Sequence, residues 1–170
     1  MKTLFKSLFV ALLLTISSIP ALAIPPDLPK TTLTDIKIQR LTNHISKTYK
    51  INIGHAEHIV ITAYNYGYHA SFPTPIDILA IIAIESRFDK NITSHTNDKG
   101  LMQISYKKTT FDVENNMYDG VSLLRLNAEQ LHPDAAIQAY NIGVPGYKKG
   151  RRNLVYLNRF KAAKIKLEAV

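Results

Sequence analysis

The sequence contains no cysteine. This excludes a disulfide framework, a thiolate metal site, a cysteine nucleophile and the lipid-modified cysteine of a bacterial lipoprotein. Glycine and proline are sparse, at 7 and 8 of 170 residues, and there is no internal repeat or low-complexity tract, so the chain is neither collagen-like nor disordered. With 46% hydrophobic residues it can bury a core, and 170 residues make one domain rather than two. The N-terminal apolar run from Leu8 to Ile16, broken by Ser17, Ser18 and Pro20, falls short of the roughly 20 residues a membrane-spanning helix needs.

That run has the makings of a secretory signal peptide over residues 1–23. Lys2 and Lys6 supply the charged start, and Ala21-Leu22-Ala23 gives the small-x-small pattern, with cleavage expected after Ala23. An uncleaved anchor is the alternative, and the shortness of the run weighs against it. The mature protein is therefore expected to be periplasmic or secreted, without a membrane anchor. The whole chain carries a formal +8, and removing Lys2 and Lys6 with the signal leaves +6. Such a surface suits an anionic partner without choosing among nucleic acid, lipid headgroups and an acidic cell-wall polymer.

Ile24-Pro25-Pro26-Asp27-Leu28-Pro29 reads as an extended leader, since each proline ring fixes its own φ and restricts the residue before it. The expected organisation is signal peptide 1–23, leader 24–32 and one domain over 33–170. Leu33, Ile36, Leu41, Ile45 and Tyr49 recur at helical spacing, with Lys37, Arg40 and Lys47 free to face solvent. A second helix is expected from His55 to about His69. Ile76 to Ile84 follows Pro75, which suits a first helical position, and is apolar nearly all round, which describes a central buried helix. Asn91–Lys108 is polar and reads as loop. Helical spacing returns at Met117, Val121, Leu124 and Leu131, at Ala135–Tyr140 after Pro133, and at Leu154, Tyr156, Leu157 and Phe160. The fold class expected is mainly α.

Glu85 ends the apolar helix. A carboxylate there loses solvation, so its pKa should rise, and a carboxyl that keeps its proton near neutral pH can act as a general acid toward a glycosidic oxygen. Judged alone, a solvated helix-end glutamate is the more ordinary reading. Its neighbours change that. Glu85-Ser86-Arg87-Phe88, then Ser94 and Gly100-Leu101-Met102-Gln103-Ile104, then Ala139-Tyr140-Asn141-Ile142-Gly143 together resemble the lytic transglycosylase domain of the soluble-transglycosylase (SLT) type. The resemblance covers roughly residues 51–165, with Asn116–Leu124 similar to the helix before the last motif and Tyr156–Phe160 to the closing helix. It implies a single helical domain that is lysozyme-like, of the SLT and goose-type lysozyme kind.

The resemblance further implies that Glu85 is the only catalytic acid and base, that Ser86 helps to hold the glycan, and that Gly100, Leu101, Met102 and Gln103 line the cleft. Tyr140 is implied to hydrogen-bond the catalytic carboxyl, and Asn141 to position substrate. The implied activity is cleavage of the β-1,4 bond between N-acetylmuramic acid and N-acetylglucosamine in peptidoglycan, leaving a 1,6-anhydro end. Two departures fall at the cleft rim: Asp98-Lys99 stands where the family usually has small residues, and Val144 precedes Pro145-Gly146 where a direct Gly-Pro-Gly is common.

The residue chemistry agrees. Ordinary glycosidases need two carboxylates, whereas Asp77, Asp89 and Asp98 all have plain readings as a first-turn acid and solvated loop charges. One acid/base suffices if the C6 hydroxyl of N-acetylmuramic acid attacks its own anomeric carbon. His55, His58 and His69 do not make a metal site by spacing, and no metal or cofactor is expected. Lys148-Lys149-Gly150-Arg151-Arg152 reads as a solvated basic loop able to attract anionic peptide stems. The expected partners are peptidoglycan strands and a secretion, conjugation or pilus apparatus. A muramidase that uses water is the alternative within the enzyme class, and a catalytically silent glycan-binding protein on the same fold the alternative outside it. Nucleic acid is not an expected partner, because the chain lacks a basic helix with interleaved aromatics and carries an export signal.

Overall fold

The computed structural model describes residues 32–105 and 110–170. The expected signal peptide and all of the leader but Thr32 lie outside the described residues, as do residues 106–108 of the expected polar loop. Helices begin where the sequence supplies side-chain acceptors for the otherwise unpaired N–H groups of a first turn. Helix α1 (Leu33–Tyr49) and helix α3 (Pro75–Glu85) each open on a reciprocal capping box, Thr32 with Asp35 and Thr74 with Asp77. Asn52 caps α2 (Ile53–Gly67), Asp112 caps α4 (Val113–Ala128) and Asn153 caps α7 (Leu154–Glu168). Pro133 opens α5 (Pro133–Ile142), and a short α6 (Val144–Lys148) follows directly.

Among the described residues the fold is all helix apart from two isolated antiparallel bridges, Thr93 with Lys99 and Lys99 with Ile104, which tie the polar segment between α3 and α4 into a tight double turn. The mainly α expectation holds. Some boundaries differ: α2 starts at Ile53 rather than His55, because the Asn52 side chain accepts from the N–H groups of Gly54 and His55. Leu131 lies beyond the end of α4, and α6 was not expected. The apolar stripe read along α1 is only half used. Leu41 and Ile45 are buried, while Leu33 at the first turn is 86% exposed, as that end of the helix overhangs the core.

Helix α3 is the centre of the domain. Ile78, Leu79, Ala80, Ile81 and Ile82 are all fully buried, on every side of the helix, as an all-round apolar segment requires. Helices α2 and α7 pack on it. Two polar contacts fix α7 antiparallel to α3. At one end Lys164 Nζ donates to Asp77 Oδ1 at 2.7 Å, and at the other the Tyr156 hydroxyl donates to Glu85 Oε1 at 2.6 Å. The two pairs are eight residues apart along both helices, about 12 Å at the helical rise, so the contacts share one register.

Asp77 does two jobs while 2% exposed: Oδ2 closes the capping box and Oδ1 meets Lys164. Asp77→Ala should therefore break the capping box of the central helix and remove the buried partner of Lys164, lowering the unfolding free energy by about 2–4 kcal/mol. Lys164→Met keeps the cap and should cost less. Thermal unfolding followed by circular dichroism checks both the size and the order of the two effects.

Candidate active site

The last residue of α3 is the one titratable group that the apolar helix delivers to the surface. The Glu85 carboxyl is held above the ordinary 4.5, chiefly by burial; the Tyr156 hydrogen bond and the Arg159 cation oppose the rise, and the Asp98 charge adds to it. Arg159 is itself fixed by donating from Nη2 to Ile84 O at 3.0 Å. The chain leaves α3 through two consecutive left-handed residues, Arg87 at φ 54° and Phe88 at φ 66°. Such a pair is costly without glycine. Burial offsets it, since Phe88 is fully enclosed with its ring 4.6 Å from that of Tyr49.

Ser86, expected to help hold the glycan, is 2% exposed, and its hydroxyl donates to Ile82 O at 3.2 Å at the end of α3. The Gly100–Gln103 turn is likewise mostly scaffold. Leu101 and Met102 are fully buried core residues, not cleft lining. Gly100, at φ 74°, has no room for a Cβ, which would meet the Asn116 side chain at 2.5 Å. Fully buried Asn116 is the residue this turn is built on. Its Oδ1 accepts from Met102 N at 2.8 Å, and its Nδ2 donates to Lys99 O and Thr110 O. Gly120, one turn on, leaves room for the Met102 thioether.

What this scaffold presents is Gln103. Its Nε2 is spent on Gly100 O and Ile92 O, so the side chain is held with its amide carbonyl on the other edge. Tyr140 lies beside it on a small cavity of about 220 Å³ that Gln103, Ile104, Ser105 and Leu123 also line. Hollows of about 520 and 570 Å³ exist at the α1–α2 seam and behind the Ser86–Ile92 turn, but Glu85 lines neither. Asn141 is exposed at the end of α5 and bonded to Asn153.

The expected hydrogen bond from Tyr140 to the catalytic carboxyl is not made. The Tyr140 hydroxyl donates to Met102 O at 2.7 Å, because the Asn116 clamp brings that carbonyl within reach. Burial, followed by the Glu85 and Asp98 charges, pushes this phenol well above its usual range. Tyr156 takes the role instead, and its hydroxyl too is raised well above the usual range by burial and by Glu85. The sequence pattern places Tyr156 in the last helix and gives it no role at the carboxyl. The usable signal was a phenol at the buried start of that helix, where a hydroxyl needs a partner.

Asp98 also departs from its expected solvated state. Although burial raises its carboxyl, hydrogen bonds from Ser105, Thr96 and Ser94 outweigh that and hold it below 3.8. Two carboxyls of opposite bias, Glu85 raised and Asp98 lowered, thus lie within electrostatic reach of each other. Of the histidines read for metal spacing, His58 pairs with Glu114 across α2 and α4, and the His69 ring lies edge-on to Tyr68. The basic loop is partly engaged: Lys148 donates to Gln130 and Arg152 stacks over Tyr147 at 3.8 Å.

Tyr156→Phe removes the contact that lowers the Glu85 pKa. The high-pH limb of the rate profile, where the acid loses its proton, should therefore move to higher pH, with the rate falling about tenfold or more. Tyr140→Phe should leave that limb in place and lower stability by about 1 kcal/mol through the lost bond to Met102. A folded pKa raised above the unfolded value costs stability as pH rises through that interval. Glu85→Gln should accordingly melt higher than the unaltered protein at neutral pH, with the difference vanishing below about pH 4.5, which calorimetry across pH measures.

Residues 74–155 match the family model of the Transglycosylase SLT domain. Neither the curated proteins nor the solved structures gave a match. The matched segment opens at the Thr74 cap of α3, contains Glu85, the Gly100–Gln103 turn, Tyr140 and Asn141, and ends one residue before Tyr156. The fold, the carboxyl at the end of its central helix and the match agree: the chain carries a transglycosylase SLT domain, an all-α, lysozyme-like domain of a family that acts on peptidoglycan.

Proposed function

We propose that the protein is an exported lytic transglycosylase that cleaves the N-acetylmuramic acid to N-acetylglucosamine β-1,4 bond, with Glu85 as its single acid and base. The observation that carries this reading is a carboxyl biased toward its protonated form, held by one phenol at the rim of a matched transglycosylase domain. Glu85 gives its proton to the leaving O4 of N-acetylglucosamine as the bond to C1 of N-acetylmuramic acid breaks. The C6 hydroxyl of the same muramic acid closes on C1, and the Glu85 carboxylate takes the hydroxyl proton. No water is consumed. The half-buried amide of Gln103 and the exposed amide of Asn141 hold the glycan in this reading, and Tyr156 keeps the carboxyl in line.

Water-using hydrolysis is the second reading, and Asp98 is the observation in its favour, an ionised carboxylate whose charge reaches both Glu85 and Tyr140. Mass analysis of soluble fragments from purified peptidoglycan separates the two, since the anhydro product lacks one water. A hydrolysed end that disappears in Asp98→Asn would establish the second reading.

Export rests on the Lys2 and Lys6 start, the Leu8–Ile16 run and the Ala21-Leu22-Ala23 site. The role proposed for it is local opening of the wall for a secretion, conjugation or pilus apparatus. Glu85→Gln should keep the fold and glycan binding while lowering turnover by at least ~10²- to 10⁴-fold, as loss of general acid catalysis does. Turbidity clearance of purified walls measures this, and near-normal clearance would end the single-acid mechanism.

A further inference from the structure

Three side-chain amides, Gln138, Asn141 and Asn153, form a connected set whose polarity is fixed from one end. The backbone N–H of Tyr156 donates to Asn153 at 2.9 Å, and since an N–H can only donate, that atom of Asn153 is the oxygen. The other end of the same amide is therefore the NH₂, which lies 2.7 Å from Asn141. A donor facing Asn141 requires the Asn141 oxygen there, so the Asn141 NH₂ is turned outward on an exposed side chain. The backbone N–H of Asn153 in turn donates to Oε1 of buried Gln138 at 3.1 Å, which seats the whole group on α5. Asn153 is also the N-cap of α7, three positions before the tyrosine that holds Glu85.

We propose that Asn153 is a positioning residue with two outputs: it fixes Asn141 as a hydrogen-bond donor toward an acceptor oxygen of the glycan, and it seats Tyr156 against Glu85. This rests on the reading of Asn141 as a glycan contact. The two outputs separate by substitution. Asn153→Ser retains an N-cap acceptor for Tyr156 N–H but is too short to reach Asn141, whereas Asn153→Ala loses both.

The test uses the full chain on purified peptidoglycan. Asn153→Ser should raise KM about five- to tenfold, the worth of one hydrogen bond, with a smaller change in kcat and with the melting temperature and high-pH limb kept. Asn141→Ala should raise KM by a similar factor, and the double variant no further, because both act through one contact. Asn153→Ala should in addition melt lower and move the high-pH limb upward, as expected for Tyr156→Phe. Additive KM effects in the double variant, or an Asn153→Ser effect confined to melting temperature, would overturn the proposal. Absence of turnover by the unaltered protein overturns the proposed activity instead. The amide polarity is then decided by nuclear magnetic resonance, where the Asn153 side-chain NH₂ should exchange slowly and that of Asn141 fast, and the reverse order refutes it.

Discussion

The antiparallel pairing of α3 with α7 is the constraint on which the rest depends. Its two polar ends do different work with the same geometry. Asp77 and Lys164 fix the start of the buried helix, where an uncapped end would leave N–H groups unpaired, and Glu85 and Tyr156 fix its finish, where a carboxyl must be kept partly out of water. Because both pairs share one register, a shift of α7 that breaks one breaks the other. The Glu85 carboxyl is thereby tied to the hydrophobic core through a rigid helix rather than a loop, which is how a small fold without disulfides can hold one side chain in place.

Around that axis the motif residues divide into those that reach the surface and those that are buried. Glu85, Gln103, Tyr140 and Asn141 reach the surface, whereas Ser86, Gly100, Leu101 and Met102 are consumed in closing α3 and packing on Asn116 and Gly120. The buried members are no less necessary. A fully buried amide that accepts from Met102 and donates to two carbonyls fixes a turn whose own sequence has little propensity for regular structure. The Tyr140 hydroxyl then locks the same turn from the other side.

Much of this was legible in the sequence. The apolar run after Pro75 specified the central helix, and the glutamate at its end, in company with the Gly100–Gln103 and Tyr140–Asn141 motifs, pointed to the matched domain. The assignment of partners was not legible. Tyr140 and Tyr156 are both phenols on helices that converge on Glu85, and which of them bonds the carboxyl depends on where Asn116 places the Met102 carbonyl, a contact between residues 14 positions apart. Asp98 read as a loop charge because its three hydroxyl donors become neighbours only once the bridges around Lys99 form. Leu33 belongs to the apolar stripe of α1 yet is exposed, because periodicity reports which face of a helix is apolar, not how far the helix extends past its support.

The sequence distance between the partners of α3 and α7 also sets an order of events. Glu85 and Tyr156 are separated by 71 positions, and Asp77 and Lys164 by 87, with α4, α5 and α6 between them. Contacts that close such long loops are gained late, after local helices have formed. A chain in which α7 has not yet docked has its central helix exposed along one side and its glutamate without the phenol. Docking of α7 thus brings the phenol to the glutamate and covers the open side of the central helix in one step.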